Sequence, residues 1–433
     1  MGNTRETMRE AQLEKLNRLL RVLNGSENRF QAARLSRAWN VLPIRSMEAF
    51  RSMVPCTTRE ELTQDFQENP PFGTNLTFPL ERYTRYCQTS GSTGEPMAWL
   101  DTPESWESML GCWRKVYSAA GLGEGRERIF FAFSFGPFLG FWTAYEAALQ
   151  LGHLCIPGGG MSSLARAGAM RRAGAAVLCC TPTYAMRLGR MVQEEGGEAP
   201  PVEKVIVAGE PGGSIPATRA CISALWNGAR VFDHHGMTEV GPVSYEESSV
   251  PGSLQVIEES YLAEILDPGS ESETPEGETG ELVLTTLDRA ACPLIRYRTG
   301  DMVRGRFTPG LSLEGGVLGR VDDMVLVRGV NVYPSAIEGI LRRFPEVVEY
   351  RVLEIRRDSM TELEIEVEGQ AGSPRDLTER IGARLRDQLQ LRIPVRWATP
   401  GSLPLQEFKA RRWERQTMAA EEPAPRASGE QES

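Results

Sequence analysis

The segment Thr89-Ser90-Gly91-Ser92-Thr93-Gly94-Glu95-Pro96 sets six consecutive hydroxyl or glycine residues ahead of one carboxylate. Small residues expose consecutive backbone N–H groups, glycines admit left-handed dihedrals, and hydroxyls add uncharged donors, so this composition suits a phosphate cradle. The same run also reads as a Ser/Gly turn between two strands. Further on, Phe232-Asp233-His234-His235-Gly236-Met237-Thr238-Glu239 places a hydroxyl next to a carboxylate. That pairing suits a metal-bridged phosphate, with Glu239 as an oxygen ligand for Mg2+ and Thr238 as a donor to a phosphate oxygen. In Arg296-Tyr297-Arg298-Thr299-Gly300-Asp301 an acceptor-only carboxylate follows a glycine and could take two ribose hydroxyls. Gly319-Arg320-Val321-Asp322-Asp323 adds a fork-shaped donor beside two carboxylates, which also read as solvated turn residues.

Several elements must bring these segments together. Leu13, Leu16, Leu20 and Leu23 recur at helical spacing and predict a packing helix over Glu10 to Leu23. Ile129 to Phe135 reads as a buried strand and Phe138 to Leu151 as a helix, with short apolar runs at Val177 to Thr181 and Val205 to Ala208. This alternation predicts an α/β domain built on a largely parallel sheet. Tyr261 to Leu266 and Glu281 to Thr285, separated by the acidic loop Asp267 to Thr279, predict a β-rich subdomain. After Gly319-Arg320 the pattern predicts a compact α+β unit: strand Met324 to Val327, helix Ser335 to Arg343, strands Val348 to Ile355 and Glu362 to Val367, helix Pro374 to Leu389, and strand Val395 to Ala398. The division is thus 1–319, 320–417 and a tail, 418–433. From Ala419 that tail is rich in Glu, Pro, Ala and Ser, has no aromatic residue, and is expected to be disordered.

Composition narrows the function classes. A chain of 433 residues is too long for one simple core, and 41% hydrophobic with 24% charged residues fits a folded globular protein. A net charge of -10 works against a general nucleic-acid surface. Met1 to Glu6 carries charge where a signal peptide needs an apolar core, and no later apolar run reaches about 18 residues. A cytoplasmic protein without a membrane partner is expected. The eight cysteines are scattered with no C-x-x-C pair and are expected to be reduced and mostly buried. With three histidines only, nucleophilic Cys/His or Ser/His chemistry has few residues to draw on.

Taken in order, the loop at 89–96, Ala208-Gly209-Glu210-Pro211, Asp233 to Glu239, Ile295 to Asp301, and Gly319 to Met324 continuing through Arg328 to Ser335 resemble the adenylate-forming, acyl-activating superfamily. Within it they resemble the phenylacetate-CoA ligase family, over the stretch from Tyr83 to Arg411. The resemblance implies a large N-terminal AMP-binding domain and a small mobile C-terminal lid turning about a hinge at Asp322, with Gly329 where the turned lid opens a thiol tunnel. It also implies two half-reactions. A carboxylate attacks the α-phosphate of ATP to give an acyl-adenylate and pyrophosphate; a thiol then displaces AMP to give a thioester. Two alternatives remain: an acyl-AMP ligase that loads the phosphopantetheine of a carrier protein, and a non-catalytic AMP-binding module. A homodimer is left open.

The resemblance also implies roles for residues. Ser90, Gly91, Ser92, Thr93 and Gly94 would wrap the pyrophosphate end of ATP. Glu210, Pro211, Asp233, His235 and Gly236 would line the adenine site, with Gly209, His234 and Met237 among the nucleotide-binding residues. Thr238 would bond the α-phosphate, Glu239 would bind Mg2+, and Asp301 would take the ribose hydroxyls with help from Arg320. Lys409, one of four lysines in an Arg-rich chain, matches the adenylation lysine, whose flexible ammonium can meet carboxylate and phosphate together; an ordinary surface lysine is the plainer reading. The aromatic-dense stretch Phe131, Phe133, Phe135, Phe138, Phe141 and Trp142 stands where the family lines its acid pocket, although aromatics at these spacings also pack cores. If Phe135, Gly136 and Phe138 face that pocket, an aryl or arylacetic acid fits. Four departures stand out: no Cys/His set for the structural zinc of many relatives, His235 in place of a Tyr, Phe408 in place of a Gly, and Glu95 and Met97 where Lys or Thr is common.

Overall fold

The computed structural model describes residues 2–89, 96–123, 125–196, 198–307, 310–328, 330–357, 360–370, 372–403 and 412–417. Four helices come first: α1 Gly2–Asn24, α2 Arg29–Trp39, α3 Met47–Met53 and α4 Arg59–Glu68. Leu16, Leu20 and Leu23 of α1 are buried with Leu35, Phe50 and Ile295, so the leucine stripe is the packing face its spacing predicted. Thr58 and Glu61 form a reciprocal capping box that starts α4.

An antiparallel pair follows, β1 Arg85–Gln88 and β2 Ala98–Asp101. The alternating part of the chain is then α5 Pro103–Ala119, β3 Arg128–Phe131, α6 Leu139–Gln150, β4 Leu154–Pro157, α7 Ser163–Ala173, β5 Val177–Cys180, α8 Pro182–Glu194, β6 Lys204–Val207, α9 Pro216–Leu225 and β7 Arg230–Met237. From β4 through β3, β5 and β6 to β7 every neighbour is parallel. Strand residues alternate between the two faces. Ile129, Phe131, Val177, Cys179, Ile206 and Phe232 meet α5 and α6, whereas Phe130, Leu178, Cys180, Val205, Val207 and Val231 meet α7, α8 and α9.

The chain next builds antiparallel strands: β8 Gly241–Glu246, β9 Ser253–Val256, β10 Tyr261–Leu266, β11 Thr279–Thr286, β12 Tyr297–Phe307, β13 Leu311–Glu314 and β14 Gly319–Arg320. Among the described residues twelve strands join one sheet in the order β10-β11-β12-β13-β9-β8-β7-β6-β5-β3-β4, with β14 on β12. The expected α/β class with a β-rich part is therefore present. One strand differs from expectation: β3 stops at Phe131 rather than Phe135. Phe135 adopts φ +52°, a left-handed dihedral no regular strand accepts.

Contacts divide the chain into a unit ending at Asp323 and another beginning at Met324. The expected division after Gly319 falls later because Gly319 and Arg320 pair with Met302 and Asp301 inside the first unit. The second unit contains β15 Val325–Val327, β16 Val330–Val332, α10 Pro334–Leu341, β17 Val347–Arg357, β18 Met360–Gly369, α11 Leu377–Leu389, β19 Val395–Trp397 and β20 Trp413–Thr417. Its sheet runs β19-β18-β17-β20, and Ile337, Leu341, Val352, Ile365, Ile381 and Leu385 form its core. This is the α+β unit expected. No helix among the described residues is long and apolar enough to cross a membrane.

Candidate active site

In open α/β sheets ligands collect beyond the carboxyl ends of the strands, and β7 carries its motif out of that edge. Strand β7 is parallel to β6 up to Asp233 and antiparallel to β8 from His234, with a bulge between His235 and Gly236. Only glycine fits at 236: a Cβ there would lie 2.7 Å from the Gly241 carbonyl oxygen. The turn through Thr238 and Glu239 then leads into β8.

Asp301 sits on β12 at 5% exposure. Arg320 Nη1 donates to its Oδ1 at 2.7 Å, and His235 Nε2 lies 3.1 Å from its Oδ2. Burial pushes the Asp301 carboxyl up, but the hydrogen bond and charge of His235 and the charge of Arg320 outweigh it and hold the group below its ordinary value. Asp301 is therefore a carboxylate. Gly300 makes the Arg320 contact reachable: its φ is +74°, and a Cβ would lie 2.8 Å from Arg320 Nη2. The charge of Glu239 reaches both Tyr297 and Arg320, so Asp301, Arg320, Tyr297 and the β7–β8 turn share one electrostatic neighbourhood. His235 Nδ1 and Ser244 Oγ, on residues paired across β7 and β8, are buried without a hydrogen-bond partner among the described residues.

The next two motif residues face inward. Ser214 Oγ donates to Asp233 Oδ2 at 2.5 Å and the His234 N–H donates to Oδ1 at 3.0 Å. Burial pushes the Asp233 carboxyl up to about 6, with Ser214 acting against the shift and Glu246 adding to it. Glu246 is itself buried, paired with Arg219, and accepts from the Asp233 N–H at 3.4 Å. Gly213 is obligatory beside Asp233, since a Cβ would meet the carboxyl carbon at 2.5 Å. His234 packs on Trp113 with ring centroids 4.3 Å apart, and its Nδ1 lies 2.8 Å from the Ser244 carbonyl. Burial drives its pKa down to about 3, so the ring is neutral. His234 thus has the surroundings of a core residue.

The loop after β6 brings Gly209, at φ +94°, and Pro211 to the surface. Glu210 turns toward α8, where its Oε1 accepts the Thr183 N–H at 2.8 Å near the helix start. The carbonyls of Thr238 and Glu239 each accept from Arg289 Nη1 at 2.8 Å. Glu239 is 9% exposed, and no hydrogen bond to its carboxylate comes from another described residue. No three His, Cys, Asp or Glu side chains among the described residues form a metal-holding group. A single carboxylate fits Mg2+, which retains waters and binds through one or two carboxylates plus phosphate oxygens.

The aromatic turn after β3 is partly exposed. Phe135 meets Trp142 and Tyr145 edge-on, with centroids 5.2 and 5.4 Å apart, and Phe138 meets Phe141 at 5.9 Å. The Phe138 ring covers Gly136, where a Cβ would lie 2.8 Å from its Cε2. Trp142 Nε1 donates to the Gly136 carbonyl at 3.0 Å, and the Gln88 N–H donates to the Pro137 carbonyl at 2.7 Å. The latter bond ties the aromatic turn to the end of β1, next to Thr89. Thr89 and Met97 bond each other across the base of the 90–95 segment.

Ser90, Gly91, Ser92, Thr93, Gly94, Glu95, Gly329, Phe408, Lys409 and the 418–433 tail lie outside the described residues. Asp322 is exposed in the turn after β14. Two motif arginines serve the scaffold. Arg296, 1% exposed, binds Glu264, Glu271 and the Val54 carbonyl, and Arg298 binds Glu281. Sequence reasoning missed Ser214, Arg219, Glu246 and the Arg289 anchor. Small polar and charged residues outside any motif carry no local mark of the site.

Comparisons with known proteins speak to the family and the fold. The profile of AMP-binding enzymes matches residues 78–287, and that of the AMP-binding enzyme C-terminal domain matches 329–414. Over 374 residues the chain is 30% identical to the phenylacetate-coenzyme A ligase of Escherichia coli (strain K12), spanning 82% of this chain and 83% of that one. It is 29% identical over 374 residues to the phenylacetate-coenzyme A ligase of Thermus thermophilus, with 79% and 82% covered. A crystal structure of 2-hydroxyisobutyryl-CoA ligase superposes with a TM-score of 0.86 at 24% identity, covering 94% of this chain and 89% of that one, which shows a shared fold.

Proposed function

The chain belongs to the phenylacetate-CoA ligase family of AMP-forming acid–CoA ligases, and from that premise we propose that it activates an aromatic or arylacetic acid with ATP and passes the acyl group to the thiol of CoA, in the cytoplasm. The carrying observation is Asp301, a buried carboxylate kept ionised by His235 and Arg320 beside the turn that bears Thr238 and Glu239. A carboxylate has about four lone-pair positions. His235 and Arg320 occupy two, which leaves room for two ribose hydroxyls. Asp233 and the 209–211 loop flank the adenine, and Thr238 donates to the α-phosphate. Glu239 is the residue that would hold Mg2+, whose charge neutralises phosphate oxygens when bound. The partly exposed Phe135, Gly136 and Phe138 turn forms the acid pocket, and its lack of basic residues favours an aryl ring over a second carboxylate.

Lys409 brings the acid carboxylate to the α-phosphate. Replacing Lys409 by Ala should lower adenylation by roughly 10² to 10³ while thioester formation from supplied acyl-adenylate persists. Equal loss of both halves would remove that role. The overall reading is tested by acid-dependent pyrophosphate exchange with aryl and short aliphatic acids, followed by CoA or a phosphopantetheinylated carrier protein. Exchange with no acid at all would leave an AMP-binding module, and capture of the adenylate by carrier protein alone would exclude CoA as acceptor.

A further inference from the structure

Arg289 and Asp101, outside every motif named above, form an ion pair at 2% and 0% exposure. Arg289 follows β11, Asp101 ends β2, and they lie 188 residues apart in the chain. Arg289 Nε donates to Asp101 Oδ1 at 2.8 Å and Nη2 to Oδ2 at 2.7 Å. Its Nη1 donates to the carbonyls of Thr238 and Glu239, both at 2.8 Å. The next carbonyl, that of Val240, accepts from the Tyr261 hydroxyl at 2.8 Å. Three consecutive carbonyls of the β7–β8 turn are therefore held by buried donors.

Stability alone gives no reason for this arrangement. Two charges taken out of water gain little over well-packed apolar side chains of the same volume. The guanidinium does something an apolar chain cannot: it fixes two successive peptide groups at once, with its own orientation fixed by the bidentate carboxylate. Arg289 is held in turn by its loop, where the Ala291 N–H donates to Ser105 Oγ and the Ala291 carbonyl accepts the Thr77 N–H.

We propose that Asp101 and Arg289 are positioning residues for adenylation, locking the peptides of Thr238 and Glu239 so that hydroxyl and carboxylate stand at fixed places toward the phosphates and Mg2+. The inference rests on the nucleotide-site reading above. It adds that strand β2, which follows the 90–95 segment, and the β7–β8 turn are set by one guanidinium. Neither residue touches substrate.

The test pairs a double variant, Asp101→Leu with Arg289→Met, with the single Asp101→Asn variant. The double variant should fold, with a Tm lowered by the two carbonyls that lose their donor, and still bind adenosine, which needs only the adenine and ribose contacts. It should lose roughly 10²-fold in pyrophosphate exchange, the scale of an ångström misplacement, and the extra rise in Tm that ATP with Mg2+ gives over adenosine. Asp101→Asn should show a smaller loss of the same kind, in kcat more than in KM for the acid. A folded double variant that exchanges within threefold of the parent overturns the proposal, as does parallel loss of adenosine binding and exchange. If the double variant does not fold, Asp101→Asn decides by the same two readouts. Absence of exchange in the parent would instead count against the proposed function and leaves adenosine and ATP–Mg2+ melting curves to judge the pair.

Discussion

Asp301 on β12 and Asp233 on β7 are both buried aspartates of one sheet, and their charges are governed oppositely. Burial raises both. At Asp301 a ring nitrogen and a guanidinium, His235 and Arg320, reverse the effect. At Asp233 the nearest donors are a neutral hydroxyl and a backbone N–H, and the neighbouring Arg219 is committed to Glu246, so the carboxyl remains raised to about 6. Depth of burial does not decide charge in this site; the kind of partner does. The difference matches two tasks. A permanent anion accepts from hydroxyls, whereas a carboxyl that gives up its charge near pH 6 braces the wall formed by Ser214 and the β7 backbone.

The largest effect comes from making one substitution at both places. Asp301→Asn should lower kcat/KM for ATP by roughly 10²-fold or more, because two hydrogen bonds to a charged acceptor weaken together. Asp233→Asn should cost only a few-fold at neutral pH, since the amide still accepts from Ser214. Pyrophosphate exchange with varied ATP measures both, and equal losses would erase the distinction.

Acid stability sharpens the contrast by about 2 kcal/mol. His234 has its pKa driven from 6.5 to about 3 by burial, so its stabilising neutral form is fully counted above pH 6.5 and is lost as pH falls toward 3. Asp233 is raised from 3.8 to about 6, so its contribution is fully present below pH 3.8 and is lost as pH rises through 6. At about 1.4 kcal/mol per pH unit, acidification to pH 5 costs about 2 kcal/mol at His234 and returns about 1 kcal/mol at Asp233. The two partly cancel in the parent. Relative to it, His234→Gln should gain stability on going from pH 7 to 5 and Asp233→Asn should lose it, as urea unfolding at each pH would read. Like slopes in the two variants would refute the assignment.

Much of the scaffold was readable because its signals are local. The α1 leucine stripe, the strand Tyr261–Leu266 and the helix ending at Leu389 came from periodicity, and each is packed where that periodicity points. The site was readable as an ordered set of motifs, but not as partnerships. Nothing in Arg296-Tyr297-Arg298-Thr299-Gly300-Asp301 tells that Arg296 turns inward to Glu264 while Asp301 turns to His235 from 66 residues away. Asp301 is aimed by its pairing with Arg320 of β14, whereas Arg296 stands just before β12 with a left-handed φ of +48°. Asp101 was hidden for another reason: it belongs to no motif, and an Asp-Thr-Pro run offers two residues that can each cap a helix starting at Pro103. Thr102 is indeed the cap, accepting from the Ser105 N–H, which frees Asp101 for Arg289. The end of β3 was misplaced at Phe135 because the aromatic run reads as strand, while the backbone has left the sheet by Phe135, at φ +52°.

The smallest effect isolates one partner of Asp301. His235 stands at the position where the family resemblance implies a tyrosine, and its Nε2 is spent on the carboxylate rather than left to face the adenine. His235→Phe keeps a flat ring on the wall and removes that bond alone. Arg320 would still hold Oδ1, so the carboxyl should remain ionised at neutral pH, and KM for ATP should rise about fivefold, the worth of one net hydrogen bond of about 1 kcal/mol. With burial opposed by one partner only, the Asp301 pKa should move up, and the acid limb of the KM-against-pH profile should shift upward with it. An acid limb unchanged in the variant would mean that Arg320 alone keeps Asp301 charged, and the contrast with Asp233 would then rest on one guanidinium rather than on two partners.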